Sequence, residues 1–403
     1  MPRWCSARFA SRCAALFLCG VLAACEAGRA PAPVGKPQTP YSGAPGPATA
    51  PHPPPAPAPG SEAIKVAVLL PLSGANADLG KAMLEAAQLA LFTVGGDRLT
   101  LVPRDTNGTA QGAADAAKAV IADGAKLIIG PLVTDEVEAV KPVARDAHVN
   151  VIAFATKTQV AGDNVFLMGF LPRQEVAREV SFAHQRGLLH FAALAPNSPY
   201  GHLMADSLKE IATENGVTVT RVEFFTGDPG SVIKKIAPAN GAAPNFDALL
   251  LPVGGDQLKQ IAQQLKAAGI DLTKVHLLGS GLWDDPGIES EPALAGGWFA
   301  ASPPDVRADF ASRYQGAYGH APPRLASLAF DAAALAAVLA KSPDPDPFSQ
   351  TAIENPNGFT GVDGLFRFTT QGLVQRGLAV LEVQPGGDTV VAPAPRNFQD
   401  FVY

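Results

Sequence analysis

From Ile64 onward, short apolar runs rich in Val, Ile and Leu alternate with amphipathic stretches. "IKVAVLLPL" (64–72) precedes a helical pattern over 78–93, and "RLTLVP" (98–103) precedes an Ala-rich one over 111–123. "AKLIIG" (125–130), a helix over 134–146 and "VNVIAFA" (149–155) continue the alternation. Apolar runs of this length bounded by helical patterns predict parallel strands buried on both faces. The rhythm resumes after "NVFLMGFLP" (164–172) with a helix over 173–186 that stops at Gly187, a residue suited to a left-handed C-terminal cap. Strands are predicted at 190–196, 217–225, 247–255 and 274–280, with helices over 200–215, near Val232 and after Asp256. In the last of these, Leu258, Ile261, Ala262 and Leu265 share one face.

Beyond Trp298 the pattern changes to two consecutive helices, 306–318 and 325–339, and then to a β-rich end in which Pro385-Gly386-Gly387-Asp388 supplies turn chemistry. The fold class read from this pattern is α/β, with two doubly wound units in series. The two late helices have no strands beside them, so they are expected to pack on the first unit, which requires the chain to pass between units more than once.

The first 24 residues carry Arg3, Arg8 and Arg12, no acid, and an apolar run from Ala14 to Ala24 too short to span a membrane, which reads as a secretory leader. It ends in Leu22-Ala23-Ala24-Cys25, a sequence similar to the bacterial lipoprotein box, so Cys25 is expected to be acylated and to become the first mature residue. Cys5, Cys13 and Cys19 would leave with the leader. Disulfides, thiolate catalysis and cysteine-ligated metal are then excluded. Residues 25–61 form a Pro/Ala-rich tether. Pro31 to Gly60 holds twelve prolines and almost no large apolar side chain, and in polyproline II geometry the 36 residues after Cys25 would reach about 110 Å.

About 340 residues remain, enough for two packed domains. Loss of the leader's three arginines takes the formal net charge from −6 to −9. With no basic patch or aromatic-interleaved cationic run, nucleic acid is not an expected partner. The seven histidines include no HExxH and no pair at helical spacing beside a Glu, so no metal is expected. No phosphate loop, GxGxxG motif or nucleophile elbow occurs; Leu278 and Leu282 flank "GSG" where an elbow needs glycines. Neither a cofactor nor catalysis is implied.

Several stretches resemble the Leu/Ile/Val-binding-protein family, the type I periplasmic binding fold. These are "VAVLLPLSGANADLGKAM" (66–83), "IIGPLVTDEV" (128–137), "NSPYGHLMADSL" (197–208), "LLGSGLWDDP" (277–286), "FASRYQGAYGHAPPRLASLAFDAAALAA" (310–337) and "FTGVDGLFRFTTQG" (359–372). Within that family, 151–180 and 361–383 most resemble the lipoproteins known as penicillin-binding protein activators. The resemblance implies two lobes joined by three crossovers around a cleft, with 62–171 and 300–358 in lobe 1 and 172–299 and 359–403 in lobe 2. It also implies cleft positions. In lobe 1 these are Ser73, Leu79 where the family has an aromatic residue, Thr134 as the hydroxyl that receives a ligand carboxylate, and the loop Ala155, Thr156, Lys157 and Thr158. In lobe 2 they are Tyr200, Gly254, Asp256 and Gly281, the last standing where an acid holds the ligand ammonium.

Two of these positions argue against amino-acid capture. Asp135 and Glu136 follow Thr134 directly and occupy the positive field of a helix start, and Gly281 offers the ammonium nothing, although Asp284 or Asp285 could serve if the loop bends inward. The expectation is therefore a non-enzymatic, lipid-anchored periplasmic protein, outer membrane favoured, whose partner is a peptidoglycan synthase that it activates by binding. The alternative is a receptor that delivers a branched-chain amino acid or similar small polar solute to the permease of an ABC importer.

Overall fold

The computed structural model describes residues 63–238 and 243–399; the expected leader, Cys25 and the tether lie outside the described residues. The first half is β1 (Ile64–Leu70), α1 (Ala77–Val94), β2 (Leu99–Asp105), α2 (Ala110–Ala122), β3 (Leu127–Ile129), α3 (Thr134–Asp146), β4 (Asn150–Ala153) and β5 (Val165–Leu167). The chain continues through α4 (Pro172–Gln185), β6 (His190–Pro196), α5 (Pro199–Asn215), β7 (Thr218–Phe225), α6 (Gly230–Ile236), β8 (Ala248–Leu250), α7 (Gly255–Ala267), β9 (His276–Leu278) and β10 (Trp298–Ala301). It ends with α8 (Pro304–Tyr318), α9 (Ala326–Leu339), α10 (Gln350–Ile353), β11 (Phe359–Gly361), β12 (Gly364–Phe368), β13 (Val374–Arg376), β14 (Ala379–Glu382) and β15 (Thr389–Ala392).

Two sheets organise these elements, in the orders β2-β1-β3-β4-β5 and β15-β14-β10-β9-β8-β6-β7. The first is all parallel; in the second, β14 and β15 add antiparallel strands at one edge, with Ala300 opposite Val380. Val66 to Leu70 are buried on both faces of β1 because each sheet is covered on both sides. One face of the first sheet packs on α1, α8 and α9, the other on α2 and α3. The second sheet has α6 and α7 on one face and α4 and α5 on the other. Local chemistry fixes the helix ends: Thr109 and Ser198 cap α2 and α5 by accepting from the amides of Gly112 and Gly201, and Gly187 lies beyond α4 at φ 85°. This is the two-lobe type I fold.

The chain passes from lobe 1 to lobe 2 between β5 and α4, returns between β10 and α8, and leaves again between β13 and β14. Two boundaries differ from those read in the sequence. Ala300 and Ala301 belong to β10 of the second sheet. Phe359, Phe366, Phe368 and Val374 enter the core of the first lobe, where Phe368 meets Phe166 edge-on at 5.4 Å, whereas Ala379 and Leu381 enter that of the second. The third passage thus lies near 377 rather than 359. Alternating apolar residues identify a strand but do not say which sheet receives it.

Candidate functional site

In an open parallel sheet, ligands bind beyond the carboxyl ends of the strands where the strand order reverses. In the first sheet that point lies between β1 and β3, and the chain beyond these strands carries Ser73 in a loop and Leu79 and Thr134 in the first turns of α1 and α3. In the second it lies between β6 and β8, whose loops lead to Tyr200 and to Gly254 and Asp256. Nearly all the residues singled out in the sequence therefore stand at the two switch points or at the ends of the next strands, β4 and β9.

On lobe 1, Ser73 is exposed and donates to Asn107 Oδ1 at 3.1 Å. Leu79 packs against the core from the first turn of α1. Thr134 opens α3, but the helix start is already served from within the chain. Glu136 is buried, its Oε2 accepts from the Val133 amide at 3.3 Å and its Oε1 accepts from the Thr106 hydroxyl at 2.6 Å. Burial raises the Glu136 pKa, against the opposing pull of the Thr106 hydrogen bond. Lys157, the cation of this loop, is paired at the surface with Glu138 at 3.0 Å.

On lobe 2, Tyr200, Gly254 and Gly281 converge around the segment after β9. The Tyr200 hydroxyl bonds the buried Ser280 side chain, and burial, reinforced by the charge of Glu175, raises its pKa. A Cβ at Gly254 would stand 2.8 Å from the Leu282 carbonyl oxygen, so the two loops are in contact there. Gly281 donates its amide to Glu175 Oε2 at 3.0 Å, and a Cβ at 281 would lie 2.9 Å from Glu175 Oε1. The carboxyl absent from position 281 is thus supplied by α4 in the same space. Glu175 is 5% exposed, and burial pushes its pKa up to about 7 despite the Gly281 amide and the nearby Arg324. Asp256 does not join this group; it is exposed and pairs with Lys259 at 3.0 Å. Nor does Asp284 turn toward a ligand, because Arg307 and Arg324 of lobe 1 both hold it, the latter at 3.0 Å.

Arg324 also bonds Asp363 at 2.9 Å and Ser302 at 3.2 Å, and its guanidinium stacks on Phe170 at 4.0 Å. It therefore touches the first and second passages between lobes together with the loop between β11 and β12. Sequence reading missed Glu175, Ser280, Asp284's partners and Arg324, since each acts across a separation that no local pattern encodes. It also missed Val133 and Leu282, the two large apolar side chains left exposed beside the candidates, at 38% and 47%. Among the described residues, no hydrogen bond joins a lobe 1 candidate to a lobe 2 candidate, and none of their helices is long and apolar enough to cross a membrane. They also contain no cluster of side chains able to hold a metal ion.

A family model described as periplasmic binding protein matches residues 63–388. The chain belongs to the periplasmic binding protein family. Solved structures agree with it in fold. A candidate branched-chain amino acid ABC transporter protein from Rhodospirillum rubrum is 21% identical, covers 82% of this chain and 100% of its own, and superposes with a TM-score of 0.72. A branched-chain amino acid ABC transporter periplasmic ligand-binding protein from Burkholderia xenovorans is 20% identical, with 83% and 96% covered and a TM-score of 0.68. A solute-binding protein of an R. palustris ABC transporter, solved with benzoate, is 21% identical, with 83% and 98% covered and a TM-score of 0.60. A curated relative, the uncharacterized protein RP748 of Rickettsia prowazekii, is 21% identical over 175 residues, and the match spans 46% of that protein's length and 43% of this chain.

Proposed function

We propose that this protein is a non-enzymatic solute receptor that takes a small ligand between its lobes and presents it to an ABC importer. The observation that carries the reading is the two sets of switch-point loops, one per lobe, which share no hydrogen bond among the described residues and leave a bridging ligand to join them. The solved relatives described above are ABC transporter proteins. They support this reading over activation of a peptidoglycan synthase, for which they offer nothing.

The chemistry of the loops narrows the solute. Leu79, Val133 and Leu282 favour an apolar body. Glu136 fills the helix start that would receive a carboxylate and Lys157 is engaged, so a carboxylate gains little here. Glu175 supplies an acid for an amine in place of position 281. A small apolar amine fits this set best, and a branched-chain amino acid, which shares the amine and the apolar body, fits it better than an acidic solute without an amine. The leader places the receptor in the periplasm, with Cys25 as its lipid attachment point.

Thermal shift and calorimetry against leucine, isoleucine, valine, their amides and benzoate test the proposal. A ligand at 100 times its Kd contributes about 2.7 kcal/mol of stability by mass action, and Val133→Asp or Leu282→Asp should abolish the response. No response to any panel member, from a protein whose melting is otherwise cooperative, would sink the receptor reading.

A further inference from the structure

Beyond β15 the chain does not stay with lobe 2. Ala394 packs against the core of the second lobe, and Arg178 of α4 holds the backbone beside it. The Arg178 Nε donates to the Leu378 carbonyl oxygen at 2.9 Å and its Nη2 to that of Pro393 at 3.0 Å. Pro395 then lies across the third passage between lobes, where a Cβ at Gly377 would stand 3.3 Å from the Pro395 ring and 3.4 Å from its carbonyl oxygen. Three residues later Phe398 rests on lobe 1. The Arg367 guanidinium of β12 lies over its ring at 4.3 Å, and the ring abuts Gly358, the residue before β11.

The seat for this ring is built from lobe 1. Gly358 is buried at φ 69°, and a Cβ there would run into the Phe398 ring and the Phe366 carbonyl oxygen, so the ring fits because the position is glycine. Arg367 is fixed by bonds from Nε to Gln375 Oε1 at 2.8 Å and from Nη1 to the Pro356 carbonyl oxygen at 3.1 Å, which leaves its flat face for the ring. The Asn397 side chain accepts from the Gln399 amide at 2.8 Å and closes a turn around Phe398. Ala392-Pro393-Ala394-Pro395 leads into this turn, and its two proline rings hold φ at about −65°, which makes the link stiff. From Ala394 to Phe398 the chain reaches about 14 Å at most, so it carries little slack.

We infer that residues 393–399 form a clasp that links the lobes a fourth time and limits their rotation about the three passages, with Phe398 as its detachable foot. The lobe 2 end is held by the core and by Arg178, whereas the lobe 1 end hangs on a half-buried ring, so the foot is the end that lets go. A hinge motion that separates β12 from β15 must lift the ring off Gly358 before the lobes part. The clasp therefore sets the threshold for opening, and it acts on the lobes themselves whether or not anything lies between them.

Double electron–electron resonance on the mature chain tests the clasp. Spin labels go on the exposed positions Asp135→Cys of α3 and Gln257→Cys of α7 in a Cys25→Ser background, and no ligand is added. The parent should give one narrow distribution of label distances. Phe398→Ala and a chain ended after Ala392 should both broaden it and add a population displaced by several ångströms. Phe398→Tyr, which keeps the ring, should reproduce the parent. Phe398→Ala, which removes only a half-buried ring, decides the case if the shortened chain fails to melt cooperatively. A distribution that Phe398→Ala leaves unchanged, or one that Phe398→Tyr broadens to the same extent, overturns the inference. Because no ligand enters the measurement, the clasp and the receptor reading fail separately.

Discussion

Glu175 and Glu179 stand one helical turn apart on α4, both inside lobe 2. Glu179 accepts from the Ala300 amide at 2.9 Å, its second oxygen is buried without a partner, and burial holds its pKa well above the ordinary value, with the charge of Glu175 adding to the effect. A carboxyl whose pKa rises on folding binds its proton more tightly in the folded state. Its penalty is therefore absent below the unfolded value of 4.5, grows as pH rises and is complete above about 7 for Glu175. Stability should fall between pH 4.5 and 7. Glu175→Gln keeps an acceptor for the Gly281 amide and should raise the melting temperature at pH 8 while leaving it unchanged near pH 4.5, as calorimetry across that range would show. At 281, Gly→Ala should cost about 1–3 kcal/mol through the clash with the same carboxyl, and a double-mutant cycle with Glu175→Ala should recover part of the loss. The start of α3 at Thr134 was legible because the helical pattern over 134–146 begins there, whereas a ligand role for the Thr134 hydroxyl came only from the family resemblance. Glu175 was not: in sequence it is one more acid in a first helical turn, and the glycine it serves lies 106 positions away.

At the scale of elements, the helix read over 134–146 is α3 itself, and most strands fall inside the apolar runs that predicted them. The runs were longer than the strands, as with β8 inside 247–255, because buried loops at a switch point are apolar too. What the pattern left open was destination. Strands β11 to β13 form a small separate sheet that adds Phe359 and Phe366 to the core of the first lobe. The fully buried Asp331 of α9 holds this sheet by accepting from the Val362 amide at 2.7 Å and the Asp363 amide at 3.4 Å. Phe366→Ala should cost about 3–5 kcal/mol. Hydrogen exchange should then show protection lost first in β1, β3 and α9 while β6 and β8 stay protected; the reverse order would return 359–376 to lobe 2.

For the whole molecule, the relation between lobes draws on Gln174 of α4, which is hydrogen-bonded to Val374 and Arg376 of β13, and on a small ion cluster. Asp284 of lobe 2 is held by two arginines of lobe 1, and Arg324 is also bound to the fully buried Asp363. Asp284→Ala leaves two cations partly stranded and should lower stability by about 3 kcal/mol or less, since both arginines retain some contact with water. Small-angle scattering should record a larger radius of gyration for this variant than for the parent, and an unchanged radius would mean that the passages and the Gln174 contacts set the lobe angle without the ion cluster. Farther out along the chain, Cys25→Ser should release the protein from membrane fractions if the thiol carries its anchor.

The passage of the chain three times between lobes has a consequence for the order in which the molecule can be made. Helix α1 is covered by α8 and α9, and the Tyr318 hydroxyl reaches the Glu85 carbonyl oxygen at 2.8 Å across 233 positions. A polypeptide emerging from its amino end delivers β1 to β5 early, yet α8 and α9, which complete the cover of one face, arrive only after β6 to β10 of the second sheet have been threaded between. Contacts so distant along the chain form slowly. Synthesis from the amino end therefore leaves the first lobe half-finished, one greasy side covered by α1 alone, until the last hundred residues arrive.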